Sequence, residues 1–319
     1  MKNAINIYQP IALNIFDEKA TVLELATGFK FAEGPLWHPD NYLLFSDIPQ
    51  NRIFQVYLNG ITYVPLHHSG GLCFTQENLS DMIGSNGLAL DKEGNIIICQ
   101  HGNHAISKLN SQKQLTILCS SYNGKPFNSP NDLVIKNNGA IYFTDPPYGL
   151  KNQVLNPIYY QPHGGVYMYY NNQVKLLHTD LLYPNGICFS TNEKYMFVGS
   201  NHPNEKYIYK YELNCGGEIV GRTTFANINA DGLKIDRYNN LFAATNEGVV
   251  VFSKYGEKIA LIAMKDMVTN IAFGGAAKNI LFITTPSTVY YVHLNYDQKS
   301  ILVAPEQKSD SILNYVYSK

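Results

Sequence analysis

Residues 33–47 read EGPLWHPDNYLLFSD, and the same 15-residue unit returns five more times. It reappears as NGLALDKEGNIIICQ at 86–100, NDLVIKNNGAIYFTD at 131–145, NGICFSTNEKYMFVG at 185–199, DGLKIDRYNNLFAAT at 231–245 and NIAFGGAAKNILFIT at 270–284. Each unit opens on a carboxylate or carboxamide, runs through a short apolar stretch, turns at Asp, Asn or Gly, and closes on a second apolar strand. Apolar runs bounded by such residues are the hairpin signature. The units start at 33, 86, 131, 185, 231 and 270, so they recur every 39 to 54 residues. That span accommodates four short strands with their turns, the size of a propeller blade.

Working outward, alternating runs between the units supply the remaining strands: Arg52–Tyr57 with 61–64, and Gly165–Tyr170 with Gln173–His178 around Asn171-Asn172. Helical periodicity is nearly absent. The repeats therefore predict an all-β, six-bladed β-propeller with a central metal site, forming a single domain over residues 1–319. A ring of blades must close, because an unpaired outer edge invites aggregation. A strand near 21–26 is expected to pair into the last blade, with 300–303 as the competing candidate.

Composition agrees. The chain has 319 residues, 45% apolar and only 15% charged, with 24 tyrosines and one tryptophan, which suits pleated surfaces. Length alone suggests two domains, but repetitive β folds run long as one unit. A formal net charge of −1 provides no field for nucleic acid or anionic membrane. Five cysteines without a C-x-x-C pair read as reduced thiols of a cytosolic protein. Residues 1–19 carry no apolar signal region, and no stretch approaches the ~18–20 apolar residues of a membrane span. The expectation is a cytoplasmic monomer or small homo-oligomer that binds neither nucleic acid nor membrane.

The first residues of the six units are Glu33, Asn86, Asn131, Asn185, Asp231 and Asn270. In a propeller the innermost strands line the central channel, so six equivalent polar positions point at one axis from one end. Any one of them alone reads as a turn residue; their recurrence in register is what carries the ligand reading. Oxygen-only donors suit a hard cation, and Ca²⁺ takes ~6–8 of them at about 2.3–2.6 Å. No Cys or His joins the set, which argues against zinc or copper. Two carboxylates, Glu33 and Asp231, roughly balance a divalent charge. Pro130-Asn131, Pro184-Asn185 and Gly34-Pro35 stiffen three of the loops, since proline fixes φ.

Four stretches together resemble the SMP-30/gluconolactonase/luciferin-regenerating family: FAEGPLW at 31–37, SPNDL at 129–133, FTDPPYG at 143–149 and TNIAFGG at 269–275. The likeness, strongest to bacterial gluconolactonase-type members, covers roughly residues 23–294. It implies a six-bladed propeller holding one catalytic divalent cation, usually Ca²⁺, with Mg²⁺, Mn²⁺ or Zn²⁺ as alternatives. The resemblance places the metal ligands at Glu33, Asn185 and Asp231, with Asn131 a ligand or substrate contact. One departure concerns specificity: gluconolactonase-like members lead one to expect an arginine after His101-Gly102-Asn103, where this chain has His104.

The expected activity is hydrolysis of a small lactone. A divalent cation polarises the carbonyl, and a carboxylate takes a proton from the attacking water. Asp231 is the candidate base, a pure ligand role being its alternative. Asn131, Asp132, His101 and Tyr148 are candidate substrate contacts, with structural roles the competing assignments for Asp132 and His101. Asp145 shares the Pro-Pro loop with Tyr148, residues 65–85 form a candidate lid, and Asp47 with Arg52 suggests an ion pair. A phosphotriesterase or aryl esterase on the same site, and a non-catalytic interaction scaffold, stay open as alternatives. G-x-S-x-G, dinucleotide and P-loop glycine patterns are absent, as are WD and kelch signatures.

Overall fold

The computed structural model describes residues 4–17, 19–71 and 80–296. Six antiparallel sheets follow one another along the chain, and in each the first strand of the repeated unit is innermost. The innermost strands are Ala32–His38, Ser85–Leu90, Leu133–Ile135, Pro184–Phe189, Leu233–Ile235 and Asn270–Gly274. Each touches the next, and the sixth touches the first, so the ring is closed. The sequence expectation of six blades holds.

Closure comes from the N-terminal side. Leu23–Thr27 pairs antiparallel with Thr288–His293 as the outermost strand of the sixth blade. The competing candidate, 300–303, lies outside the described residues. A strand that the sequence did not announce, Ala4–Ile7, adds to the outer edge of the fifth blade against Lys258–Ala263. Local chemistry sets the tight turns. Between Gly165–Tyr170 and Gln173–His178, Asn171 and Asn172 have φ of 50° and 59°, the left-handed pair that a two-residue I′ hairpin needs and that asparagine tolerates.

Packing is equally repetitive. Six apolar clusters fill the six interfaces between neighbouring blades. At the closing interface, for example, Phe45 of the first blade and Phe282 of the sixth share one cluster, and Trp37 stacks on Phe282 at 5.1 Å and 13°. Cys99 and Cys188 are buried, whereas Cys215 is exposed rather than buried; neither these nor Cys119 forms a disulfide.

At the end of the channel where the innermost strands begin, a hydrogen bond to a backbone carbonyl crosses each interface. Ser46 Oγ donates to Asn86 O (2.8 Å), Gly87 N to Asn131 O (2.7 Å) and Thr144 Oγ1 to Asn185 O (2.8 Å). Gly186 N then donates to Asp231 O (2.8 Å), Gly232 N to Thr269 O (3.1 Å), and Thr269 Oγ1 to Ala32 O (2.6 Å), back on the first blade. Glycine is required where blades come this close: a Cβ on Gly186 would lie 2.1 Å from Asp231 O.

Asp47 and Arg52 face each other in register but do not form the expected ion pair. The Asp47 carboxylate instead accepts from Lys30 N (2.9 Å), Phe31 N (3.3 Å) and Gln50 Nε2 (2.5 Å), while the Arg52 guanidinium reaches Gln50 Oε1 at 3.5 Å. Within the candidate lid, 72–79 lie outside the described residues, and Ser80 bonds Gly149 O and Tyr148 O, each at 3.0 Å.

The ring makes a stability prediction. Gly186→Ala forces a Cβ against backbone and should cost about 1–3 kcal/mol. Thr269→Val strands the Ala32 carbonyl and should cost about 1–3 kcal/mol. Urea denaturation of both variants checks this; unshifted midpoints would remove the ring's claimed role.

Candidate axial site

The interblade bonds fix the backbones of Asn86, Asn131, Asn185 and Asp231, and side-chain interactions bring Glu33, Asn185, Asp231 and Asn270 together. Glu33, Asn86, Asn131, Asn185, Asp231 and Asn270 are all buried. Asn270 Nδ2 donates to Glu33 Oε2 at 2.9 Å, and Gly34 N donates to the same oxygen. The Asp231 carboxyl interacts with the Glu33 carboxyl and with the Asn185 amide. Asn201 Nδ2 donates to Asp231 Oδ2 at 3.2 Å, and Asn185 Nδ2 to the Tyr148 hydroxyl at 3.4 Å.

Two interacting buried carboxyl groups are unfavourable as a pair of anions. Burial, then Asp231, then Asp132 push Glu33 well above the usual carboxylate range. Burial, with a further contribution from Asp132, pushes Asp231 up to about 8. Tyr148 is likewise pushed up, by burial and then by Asp231, which keeps it a neutral phenol.

The same place holds unpartnered acceptors. Asn86 Oδ1 and Asn185 Oδ1 are buried and receive no hydrogen bond, an arrangement that costs about 1–3 kcal/mol per group when nothing compensates. Crowded carboxylates beside orphaned amide oxygens fit a hard divalent cation, which satisfies both at once. Among the described residues no three His, Cys, Asp or Glu side chains cluster to hold a metal, so such an ion depends on the carboxamides.

The remaining candidates divide by their bonds. Asp132 accepts from Leu133 N (2.9 Å) and Ile187 N (3.4 Å) and pairs with Lys234 Nζ at 3.8 Å, tying three blades together. His101 is buried; its Nδ1–H donates to Met82 O at 2.8 Å, and Nε2 faces Asn86 Nδ2 at 3.5 Å. Burial lowers its pKa to about 4, so it is neutral. Both engage the scaffold, and both have the structural partners weighed from sequence. Tyr148 adjoins Asn185 and packs edge-on against Tyr183 at 5.5 Å. His104 holds Asn128 O through Nδ1 at 2.6 Å, and its ring lies 4.7 Å from that of Tyr160.

Three contributors have roles that the sequence reading did not assign. Asp145, like Asp47, ends a repeated unit, and its carboxylate accepts from Asn128 N (2.8 Å) and Ser129 N (2.7 Å). These two aspartates clamp the loops leading into Asn131 and Glu33. Their shared position, fifteenth in the unit, was the available signal. Asn201, the third, lies outside the units, and nothing in its sequence context marks it.

The fold and site define a six-bladed propeller with an axial carboxylate–carboxamide cradle. Residues 31–287 match the SMP-30/Gluconolactonase/LRE-like region, and the chain belongs to that family. It is 31% identical to a gluconolactonase of Zymomonas mobilis over 304 residues, covering 90% of this chain and 85% of that protein. A gluconolactonase structure from Xanthomonas campestris superposes with a TM-score of 0.78 at 27% identity, covering 91% and 94% of the two chains. A calcium-binding regucalcin from Agrobacterium tumefaciens shares the fold with a TM-score of 0.70 at 17% identity, over 86% and 95%.

A pH dependence follows from the carboxyl pair. In the metal-free fold Asp231 titrates near 8, against 3.8 for an ordinary aspartate. Between those values the folded state holds a proton that the unfolded chain has lost, so folding stability must fall as pH rises. A bound divalent cation should remove that contribution and release protons. Urea midpoints at pH 5 and pH 8, in chelator and in Ca²⁺, measure the first. Calorimetry in buffers of different ionisation enthalpy measures the second. A pH profile indifferent to Ca²⁺ would contradict the assignment.

Proposed function

We propose that the chain is a divalent-cation-dependent hydrolase that opens a small lactone, with Ca²⁺ the cation its donors suit best. The observation that carries this reading is the pair of buried, interacting carboxyls of Glu33 and Asp231 together with the orphaned Asn185 oxygen. The likeness to the Zymomonas gluconolactonase over 90% of the chain supports the substrate class.

Glu33, Asn131, Asn185 and Asp231 are the residues that would hold the cation. When bound it supplies Lewis-acid polarisation of the ester carbonyl and stabilises the charge that develops there. The chain's own groups handle the protons. Asp231, whose Oδ2 accepts from the Asn201 amide, takes a proton from the attacking water. As the water oxygen bonds the carbonyl carbon and the ring C–O bond breaks, that proton passes to the departing alkoxide, giving the open hydroxy acid. Tyr148, kept neutral by burial, is a hydroxyl donor beside Asn185 for a substrate oxygen. Asn270 and Gly34 hold Glu33 in place through its Oε2.

Chelation should abolish lactone opening and added Ca²⁺ restore it; undiminished turnover in metal-free protein would defeat the reading. Assaying aryl esters and phosphotriesters alongside tests the substrate class, because a preference for either would move the reaction off lactones.

Variants separate base from ligand. Asp231→Asn should lower kcat by about 10²–10⁴-fold, the usual scale of general-base catalysis. Glu33→Gln and Asn185→Ala should mainly weaken cation binding and recover at high Ca²⁺. Full rescue of Asp231→Asn by excess Ca²⁺ would reduce Asp231 to a ligand.

A further inference from the structure

A cleft of about 610 Å³ lies between the loops of the fourth and fifth blades, within the ~300–1,000 Å³ range of small-molecule sites. Asn201 belongs to both places: it lines this cleft and donates Nδ2 to Asp231 Oδ2 at 3.2 Å. The cleft is therefore one side chain away from the candidate base.

Its chemistry is specific. Asn229 also lines it; Asn229 Nδ2 is committed to His202 O at 3.1 Å, but Asn229 Oδ1 is buried with no donor. A buried acceptor without a partner is unfavourable by about 1–3 kcal/mol, and a ligand hydroxyl is the donor that relieves it. Asn227 and Asn246 present two further carboxamides at the cleft wall. Thr245 Oγ1 is already spent on Gly248 O at 2.9 Å. Beneath the amides, Val250 and Phe252 supply an apolar surface that matches the C–H face of a hydroxylated carbon chain.

We propose that this cleft is a subsite of the axial reaction, binding the hydroxyl-bearing arm of a lactone whose carbonyl sits at the axis. Asn229 receives a substrate hydroxyl, and Asn201 is a positioning residue that links the occupied cleft to Asp231. The assignment rests on the lactonase reading above, and the experiment keeps the two apart.

The probe is a matched pair of six-membered lactones: glucono-1,5-lactone, which carries hydroxyls, and δ-valerolactone, which has none. In the Ca²⁺-loaded full-length protein, Asn229→Leu should lower the ratio of their kcat/KM values about tenfold, the equivalent of one hydrogen bond near the upper end of its ordinary range. Asn246→Phe, which narrows the cleft from an exposed loop, should shift the ratio the same way should Asn229→Leu fail to fold. A ratio unchanged in a folded variant overturns the subsite.

Should the wild type open neither lactone, the function proposed above falls, and the subsite is judged by calorimetric binding of D-gluconate instead. Binding to wild type that weakens about tenfold in either variant supports it. No binding to the wild type, or equal binding to all three proteins, overturns it.

Discussion

Everything at the axis depends on how the six blades are joined where their innermost strands begin. A hydrogen bond to a backbone carbonyl crosses each interface there, and four of these six accepting carbonyls belong to Asn86, Asn131, Asn185 and Asp231 themselves. The contact that closes the ring is thus the one that aims the donors. No donor can move without breaking an interface, so the polar groups are held in place by the scaffold before any ligand arrives, as electrostatic preorganisation requires. It also explains the glycines after the donors. At 186 and 232 a Cβ would meet Asp231 O at 2.1 Å and Asn270 Oδ1 at 1.9 Å.

The axial residues break the rules the rest of the chain obeys. Elsewhere apolar clusters fill the blade interfaces, and the buried carboxylates of Asp47 and Asp145 accept several hydrogen bonds. At the axis, two buried carboxyls interact and two amide oxygens have no partner. Such local violations are expected where a fold serves a function, and the two at the axis agree in sign: Asn86 Oδ1 and Asn185 Oδ1 are both acceptors. The strain is tolerable because the six packed interfaces surrounding it over-determine the donor backbones.

Legibility in the sequence followed repetition. The hairpin at 33–47 and its five copies announced the blades, and Asn171-Asn172 announced its own turn, because both depend on local chemistry that recurs. The buried polar positions that open the six units were legible for the same reason. What sequence reading missed depends on contacts distant in the chain. Asn201 reaches Asp231 across 30 residues, and Ala4–Ile7 finds the fifth blade's edge more than 250 positions away. The Asp47–Arg52 pairing failed for a related reason. The registry was right, but backbone N–H groups of the preceding loop were nearer partners for the carboxylate than the guanidinium. A buried carboxylate that accepts several bonds gains more from fixed dipoles than from one mobile cation at the surface.

The third acidic residue of the channel shows how its charge is apportioned. Asp132 is buried, follows Asn131 directly and raises the proton affinity of both Glu33 and Asp231. Left uncompensated, it would place three negative charges in one channel. Lys234, from the innermost strand of the fifth blade, lies 3.8 Å from its carboxylate, and two backbone N–H groups bond it as well. The lysine follows Asp231 by three residues, so the strand that contributes a carboxylate to the mouth also carries, deeper in the channel, the cation for Asp132. With Asp132 balanced internally, Glu33 and Asp231 are the pair left over, and their formal charge of two is what a single divalent ion matches. An acidic channel mouth without Lys234 would favour a higher charge or a second cation. Lys234 therefore bears on the charge left at the channel mouth, while the ring of interblade bonds bears on its geometry.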